Sequence, residues 1–140
     1  NDYYAFPTVE ELSVASEEDI RQCKAGFRAP YIIDACKKVR TKEVNLENLM
    51  TSSYDKAKEE LLKIKGVGPK IADCVLLFSL GKKEAFPVDV WVKRVMEHFY
   101  FNKGSSMKEI QNFAKEYFGD LAGISQQYLF YYARQLRIGK

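Results

Sequence analysis

From Ile64 to Cys74 the chain reads Ile-Lys-Gly-Val-Gly-Pro-Lys-Ile-Ala-Asp-Cys. Apolar residues recur at helical spacing on both sides of this stretch, so one helix has to stop, turn within three residues and start again. Glycines permit a turn that tight, because they lack the Cβ that bars most residues from left-handed backbone. Proline is welcome in the first turn of a helix, where its missing N–H would have had no partner, so Pro69 opens the second helix and Gly81 stands just past its end at Leu80. The result is a hairpin of two helices over residues 55–80, with Ala57, Leu61, Leu62 and Ile64 facing inward.

The rest of the chain reads the same way, and the fold class expected is all-α. Capping residues and acidic first turns start helices at Val9 and after Ser16, the second running to Cys23 and closed by Gly26. Ala29 to Val39 carries Ile32, Ile33, Ala35, Cys36 and Val39 on one face, and a short helix follows from Asn45 to Met50. Beyond the hairpin the spacing predicts helices from Val90 to Tyr100, Lys108 to Phe118 and Gln126 to Leu136, with breaks at Gly104 and Gly119. Strand signals are weak throughout. Repeats and low-complexity tracts are missing, and Asn102-Lys103-Gly104-Ser105-Ser106 is the one long polar loop.

Composition narrows the function classes. A chain of 140 residues, 46% hydrophobic and 29% charged, can bury a core and keep a wettable surface, as one compact domain or two closely packed helical lobes. Its 22 basic and 19 acidic residues leave a formal charge of +3, which permits nucleic-acid binding without demanding it. Basic residues outside the hairpin (Lys37, Lys38, Arg40, Lys42, Lys82, Lys83, Arg134, Arg137, Lys140) read as solvated surface; Lys93-Arg94 is the pair expected near a phosphate. Cys23, Cys36 and Cys74 are widely spaced with no CxxC pair, so neither a disulfide framework nor a metal cluster is expected, and a reducing compartment fits. No apolar run approaches the about 18 residues of a membrane span. The nine phenylalanines and nine tyrosines are expected mainly in the core, and His98 beside Phe99 in a structural role. The chain opens at Asn1 without an initiator methionine, as a piece of a longer protein would.

The chemistry gathers at the hairpin. A helix starting at Pro69 presents unpaired N–H groups and the positive end of its dipole, and Lys63, Lys65 and Lys70 stand close by, a combination that suits a phosphate. It suits equally a tight corner with solvated lysines. Lys70 lies in that first turn, where dipole and neighbouring cations disfavour a proton on its amine, and a neutral amine attacks carbon electrophiles to form Schiff bases. Cys74 follows on the same face at i+4, either beside the lysine or as a small core residue, and Asp73 is at i+3. In Phe86-Pro87-Val88-Asp89-Val90-Trp91, Asp89 reads first as an N-cap. A carboxylate held that way is also rigid enough to stabilise positive charge across a pocket. Gln126 and Phe130, four apart, share a face of the last helix; on their own they read as an exposed polar residue beside a core aromatic.

KGVGPKIADC followed by PVDVW resembles the helix-hairpin-helix Gly/Pro-Asp superfamily of base-excision DNA glycosylases, and within it the 8-oxoguanine DNA glycosylase branch. Similar features run from Phe6-Pro7 through Gly26-Phe27-Arg28-Ala29 to Gly123-Ile124-Ser125-Gln126 and Leu129-Phe130, nearly the whole chain. The resemblance implies a helical glycosylase domain over residues 1–140, with the Gly/Pro-Asp loop at about 85–91. It implies Lys70 as the lysine that attacks C1′ of the damaged nucleotide and can then cut the strand by β-elimination, and Asp89 as its essential aspartate. Cys74, Phe78, Gln126 and Phe130 would form the base pocket, Gln126 on the pairing edge of the base and Phe130 stacked on its face. Phe27 would fill the gap left by the flipped nucleotide and Arg28 would read the abandoned cytosine. The N–H groups of Gly66, Gly68, Lys70 and Ile71 would hold a phosphate, with Trp91 and Lys93 adding DNA contacts. Carbonyls of Leu62, Ile64 and Val67 could hold a cation bridging to that phosphate, and no other cofactor is required.

Departures from the family pattern also inform. Trp91 stands where vertebrate members have histidine, as in bacterial or archaeal ones, and Lys65 where proline is common. The segment after Cys74 has no cysteine, whereas endonuclease III and the adenine glycosylase carry four there for a cluster, which disfavours those branches. By the same resemblance, the family's N-terminal sheet domain is expected to be absent from this chain. The partner implied is double-stranded DNA containing a damaged guanine, 8-oxoguanine opposite cytosine, met by a monomer without membrane association. Such a protein would work in the cytoplasm at the nucleoid of a prokaryote, or in a eukaryotic nucleus. Two alternatives compete: a glycosylase of this fold for another damaged base, and a DNA-binding module that keeps the hairpin without chemistry.

Overall fold

The computed structural model describes residues 3–101 and 104–138, so Asn102 and Lys103 of the polar loop, and Lys140, lie outside it. Among the described residues there is helix and no strand. The elements are α1 (Val9–Ser13), α2 (Glu17–Ile20), α3 (Ala29–Arg40), α4 (Leu46–Thr51), α5 (Tyr54–Leu62), α6 (Pro69–Phe78), α7 (Val90–Phe99), α8 (Met107–Phe118) and α9 (Ala122–Gln135). None is long and apolar enough to cross a membrane.

Local chemistry explains most starts. Thr8, Ser16 and Ser106 each accept the N–H three residues on, while the acid at that position returns a bond to the cap's own N–H, and Asn45 caps α4. Two expectations need correction. The helix after Ser16 ends at Ile20 rather than Cys23, because the chain widens through Arg21–Ala25 and Lys24 turns left-handed at φ 62°. The last helix begins at Ala122, four residues before Gln126, with no capping side chain to announce it.

Two cores form. One gathers Val44, Leu49, Ala57, Leu61, Ile64, Ala72, Leu76 and Ala85 around α4, α5 and α6; Leu62, expected inside, is 41% exposed instead. The other packs Phe86, Val88, Val92, Met96, Ile110, Ala114 and Ala122 between α7, α8 and α9. The loop from α6 to α7 crosses from one to the other, with Ala85 in the first and Phe86 in the second. Gly123 closes the seam: its N–H donates to the Lys83 carbonyl at 2.7 Å, and a Cβ there would meet Leu77 Cδ1 at 2.3 Å and the carbonyl oxygens of Ala85 and Lys83 at 2.8 Å.

Aromatic residues depart furthest from expectation. Only Phe86 is fully buried, while Phe78, Phe99, Tyr128, Tyr131 and Tyr132 are exposed. Most of the packed rings belong to a cluster of Tyr100, Phe113, Tyr117 and Phe118 around the second core. His98 is exposed with its ring edge-to-face on Phe99 at 4.7 Å.

Candidate active site

The turn between α5 and α6 is held from behind by α3. Asp34 Oδ2 accepts the Lys65 N–H at 2.7 Å, and the Lys38 ammonium donates to the Lys63 carbonyl. The Lys65 N–H, ahead of the Lys38 ammonium, holds the Asp34 carboxyl below the usual carboxylate range. Gly66 sits at φ +82°, and a Cβ there would lie 2.3 Å from the Tyr31 ring, so both its backbone and its neighbour require glycine. Gly68 differs. Its φ of −91° suits any residue and nothing lies within 4 Å of where its Cβ would be. The chain's own packing therefore gives no reason for a second glycine, whereas close approach of another molecule would.

Pro69 is the first residue of α6 and Lys70 the second, as the spacing predicted. Lys70 and Ile71 are exposed. Asp89 is the N-cap of α7, its Oδ1 accepting from Trp91 N at 2.9 Å and Val92 N at 2.8 Å, which leaves Oδ2 unused by the cap. Lys70 and Asp89 both lie within electrostatic reach of Cys74: burial pushes that thiol up, the Lys70 ammonium pulls it down, and Asp73 and Asp89 add to the rise. Cys74 is thus a neutral thiol at ordinary pH. Lysine and thiol share a face of α6, four residues apart, with the capped aspartate within electrostatic reach of the thiol.

Phe27 and Arg28 join this face through a residue that sequence reasoning passed over. Phe27 is 66% exposed with the Arg28 guanidinium 4.6 Å from its ring centre, and Tyr31 meets the Phe27 ring edge-on at 6.4 Å while backing Gly66. Trp91 is half-buried with Arg94 5.4 Å from its ring, and Lys93 lies 3.7 Å from Glu97. Lys63, expected near a phosphate, is paired with Glu60 at 2.6 Å.

The remaining base-pocket residues are less united. Phe78 is 62% exposed. Gln126, buried rather than exposed, donates from Nε2 to the Pro87 carbonyl at 3.0 Å and accepts at Oε1 from Gln127. It therefore steadies the loop two residues ahead of Asp89. Phe130 packs on the second core with Arg134 5.7 Å from its ring, and no ring contact joins it to Phe78 among the described residues.

A cavity of about 980 Å³ is lined by Lys70, Tyr54, Lys58, Glu84, Gln111 and Lys115 among others, and by none of Cys74, Phe78, Gln126 or Phe130. Behind its wall lies Asp73, fully buried, which accepts from Tyr54 Oη at 2.7 Å and Gln111 Nε2 at 2.8 Å and pairs with Lys58 Nζ at 2.8 Å. Burial, reinforced by the bond to Asp73, holds the Tyr54 phenol far above its usual range. The sequence signal for this network was Asp73 itself, a carboxylate among apolar residues of one helix.

Known proteins share this fold and much of this sequence. The model of the HhH-GPD superfamily base excision DNA repair protein matches residues 1–119. A probable N-glycosylase/DNA lyase of Methanothermobacter thermautotrophicus is 41% identical over 120 residues, 86% of this chain and 38% of its own length. The structure of Clostridium acetobutylicum 8-oxoguanine glycosylase/lyase in complex with double-stranded DNA containing cytosine opposite 8-oxoguanine is 48% identical, with a TM-score of 0.92 over 97% of this chain and 47% of that one. The 3-methyladenine DNA glycosylase of Archaeoglobus fulgidus is 36% identical, with a TM-score of 0.75 over 94% of this chain and 44% of that one. The chain spans less than half the length of each of these relatives.

Proposed function

The chain belongs to the HhH-GPD superfamily of base excision DNA repair proteins, and from that premise we propose that it excises oxidised guanine, 8-oxoguanine opposite cytosine, and cleaves the resulting abasic strand. One observation carries the reading: an exposed lysine at the start of α6, with no carboxylate partner among the described residues, lies within electrostatic reach of the same thiol as a carboxylate immobilised by its cap. Binding DNA phosphates would require neither the lysine's isolation nor the aspartate's rigidity.

In the reaction proposed, the neutral Lys70 amine attacks C1′ of a nucleotide flipped from the duplex. The C1′–N9 bond breaks with its electron pair going to the base, which leaves protonated, and the amine nitrogen loses a proton as the sugar opens to a Schiff base. Loss of the C2′ proton then expels the 3′ phosphate by β-elimination, and water releases Lys70. Asp89 stabilises the positive charge that develops on the sugar and then on the imine. The N–H groups of Gly66, Gly68, Lys70 and Ile71 would grip a backbone phosphate, with Trp91 and Lys93 at its flank. Phe27 would occupy the vacated stack and Arg28 the orphaned cytosine. Cys74, Phe78 and Phe130 would enclose the base, and Gln126 would read its edge with the amide proton left over from Pro87. A cation on the carbonyls of Leu62, Ile64 and Val67 would meet neutral oxygens only. Ile64's is already bonded to Val67 N–H at 3.0 Å and the Lys38 ammonium sits on the intervening Lys63 carbonyl, which favours a monovalent ion. The protein would act as a monomer wherever the genome lies, at a nucleoid or in a nucleus.

Borohydride trapping tests the reading, using duplexes with 8-oxoguanine opposite cytosine and with an abasic site, and Lys70→Gln as control. An adduct on both, lost in the variant, is expected. Trapping on the abasic duplex alone would assign the chemistry to this chain and base choice to another lesion. Binding without any adduct would leave a DNA-binding module.

A further inference from the structure

Asp73 lies three residues after Lys70, a spacing at which lysine and aspartate on a helix ordinarily pair. Here they do not. Tyr54 and Lys58 both engage Asp73 Oδ1 and Gln111 engages Oδ2, so its acceptor positions are taken by α5 and α8. These three partners line the cavity beside Lys70, and Asp73 behind them does not. Among the described residues no carboxylate pairs with Lys70, whereas Lys58, with 17% of its side chain exposed, is fully engaged.

We infer that Lys58 is a stand-in cation, which occupies Asp73 so that this carboxylate does not hold the proton of the Lys70 amine. The inference rests on the reading of Lys70 as nucleophile, and it deepens it: Lys58 and Asp73 are positioning residues, neither touching the nucleotide. Without Lys58, the Asp73 charge would draw the Lys70 ammonium, three residues back on the same helix, and an ion-paired lysine is a protonated one. Tyr54 cannot replace it, since a phenol kept protonated adds a hydrogen bond and no charge. Other charges face the same space. Lys70 and Asp89 both act on the Cys74 thiol, Asp55 and Glu84 line the cavity, and Lys108, Lys115 and Asp120 come from α8 and the turn after it. Those are unchanged by the substitutions below, so their contributions cancel.

Competitive acetylation of the folded chain by acetic anhydride, mapped at Lys70 by mass spectrometry across pH, reads the amine's protonation without DNA. Lys58→Met is expected to raise the pH of half-maximal labelling by about one unit. The same change in an Asp73→Asn background should raise it by less than half as much, and Lys58→Arg should restore the original value. No rise, or an equal rise in both backgrounds, would overturn the inference, the second because Lys58 would then act through its own charge alone. Should Lys58→Met fail to fold by circular dichroism, Lys58→Gln takes its place in the cycle. Borohydride trapping of the unsubstituted chain on the abasic duplex separates the two claims: its failure sinks the nucleophile, and the labelling still decides whether Lys58 shields the amine.

Discussion

The hairpin and the proposed base pocket make an instructive pair, because one is braced from behind by a neighbouring helix and the residues of the other are turned to different partners. Behind the hairpin, Asp34, Lys38 and Tyr31 of α3 hold Lys65, Lys63 and Gly66 of the turn. Across the pocket, Phe78 is largely exposed, Phe130 leans on the second core and Gln126 spends its bonds on Pro87 and Gln127. Phosphate contacts need a backbone of fixed shape, which a neighbouring helix can supply. A pocket for a flat base needs walls from several directions, and those described here come from two helices. Rigidity was invested where geometry has to be constant.

The largest effect should come from the one residue that serves both regions. Asp89→Asn keeps the cap, since asparagine caps as well as aspartate, but removes the charge. Thermal unfolding should hardly change, while the single-turnover trapping rate on an abasic duplex falls by about 100-fold or more. An equal loss of stability would show that the cap was all Asp89 supplied. Next in size, Gly66→Ala should destabilise the fold by about 2–3 kcal/mol in urea titrations, from left-handed strain and the displaced Tyr31 ring. Gly68→Ala breaks the symmetry between the two glycines. It should leave stability unchanged or raise it by about 0.5 kcal/mol, yet weaken binding to duplex DNA about tenfold, or about 1.4 kcal/mol. A stability loss matching that of Gly66→Ala would mean that nothing outside the chain selects this glycine.

The smallest effect is also the most specific in its pH dependence. Asp34 has a folded pKa below the ordinary 3.8, so its stabilisation is complete above that value and is lost as pH falls through the folded one. Comparing Asp34→Asn with the parent, the difference should be about 1 kcal/mol at pH 7 and shrink steadily below pH 4. A gap that persists in acid would assign the clamp to Tyr31 and Lys38 alone.

How far all this could be read from the chain depends on how local each cause is. Pro69 and Asp89 were legible because their roles are settled within three residues of sequence, and the structure places both where capping rules put them. The start of α9 was not, since Leu121 and Ala122 carry no cap and the helix is set by Gly123 docking on Lys83. The clamp on the hairpin joins residues 31 apart, the Gln111–Asp73 bond 38 and the Gln126–Pro87 bond 39. Periodicity within a helix reports which face is apolar and is silent on which partner meets it. For the same reason the aromatic residues were misplaced: their number suggested a core, and their exposure on α9 depends on what lies opposite.

The passage of the α6–α7 loop from one core to the other has a mechanical meaning. Lys70 is anchored in the packing unit of α5 and α6, whereas Asp89 caps a helix of the other unit, and the two are fastened where Gly123 docks on Lys83 and Gln111 bonds Asp73. The spacing of the reacting pair is then a joint between two bodies, and a joint can slip while both bodies stay whole. Warming or crowding that seam would detune the chemistry before either half began to melt.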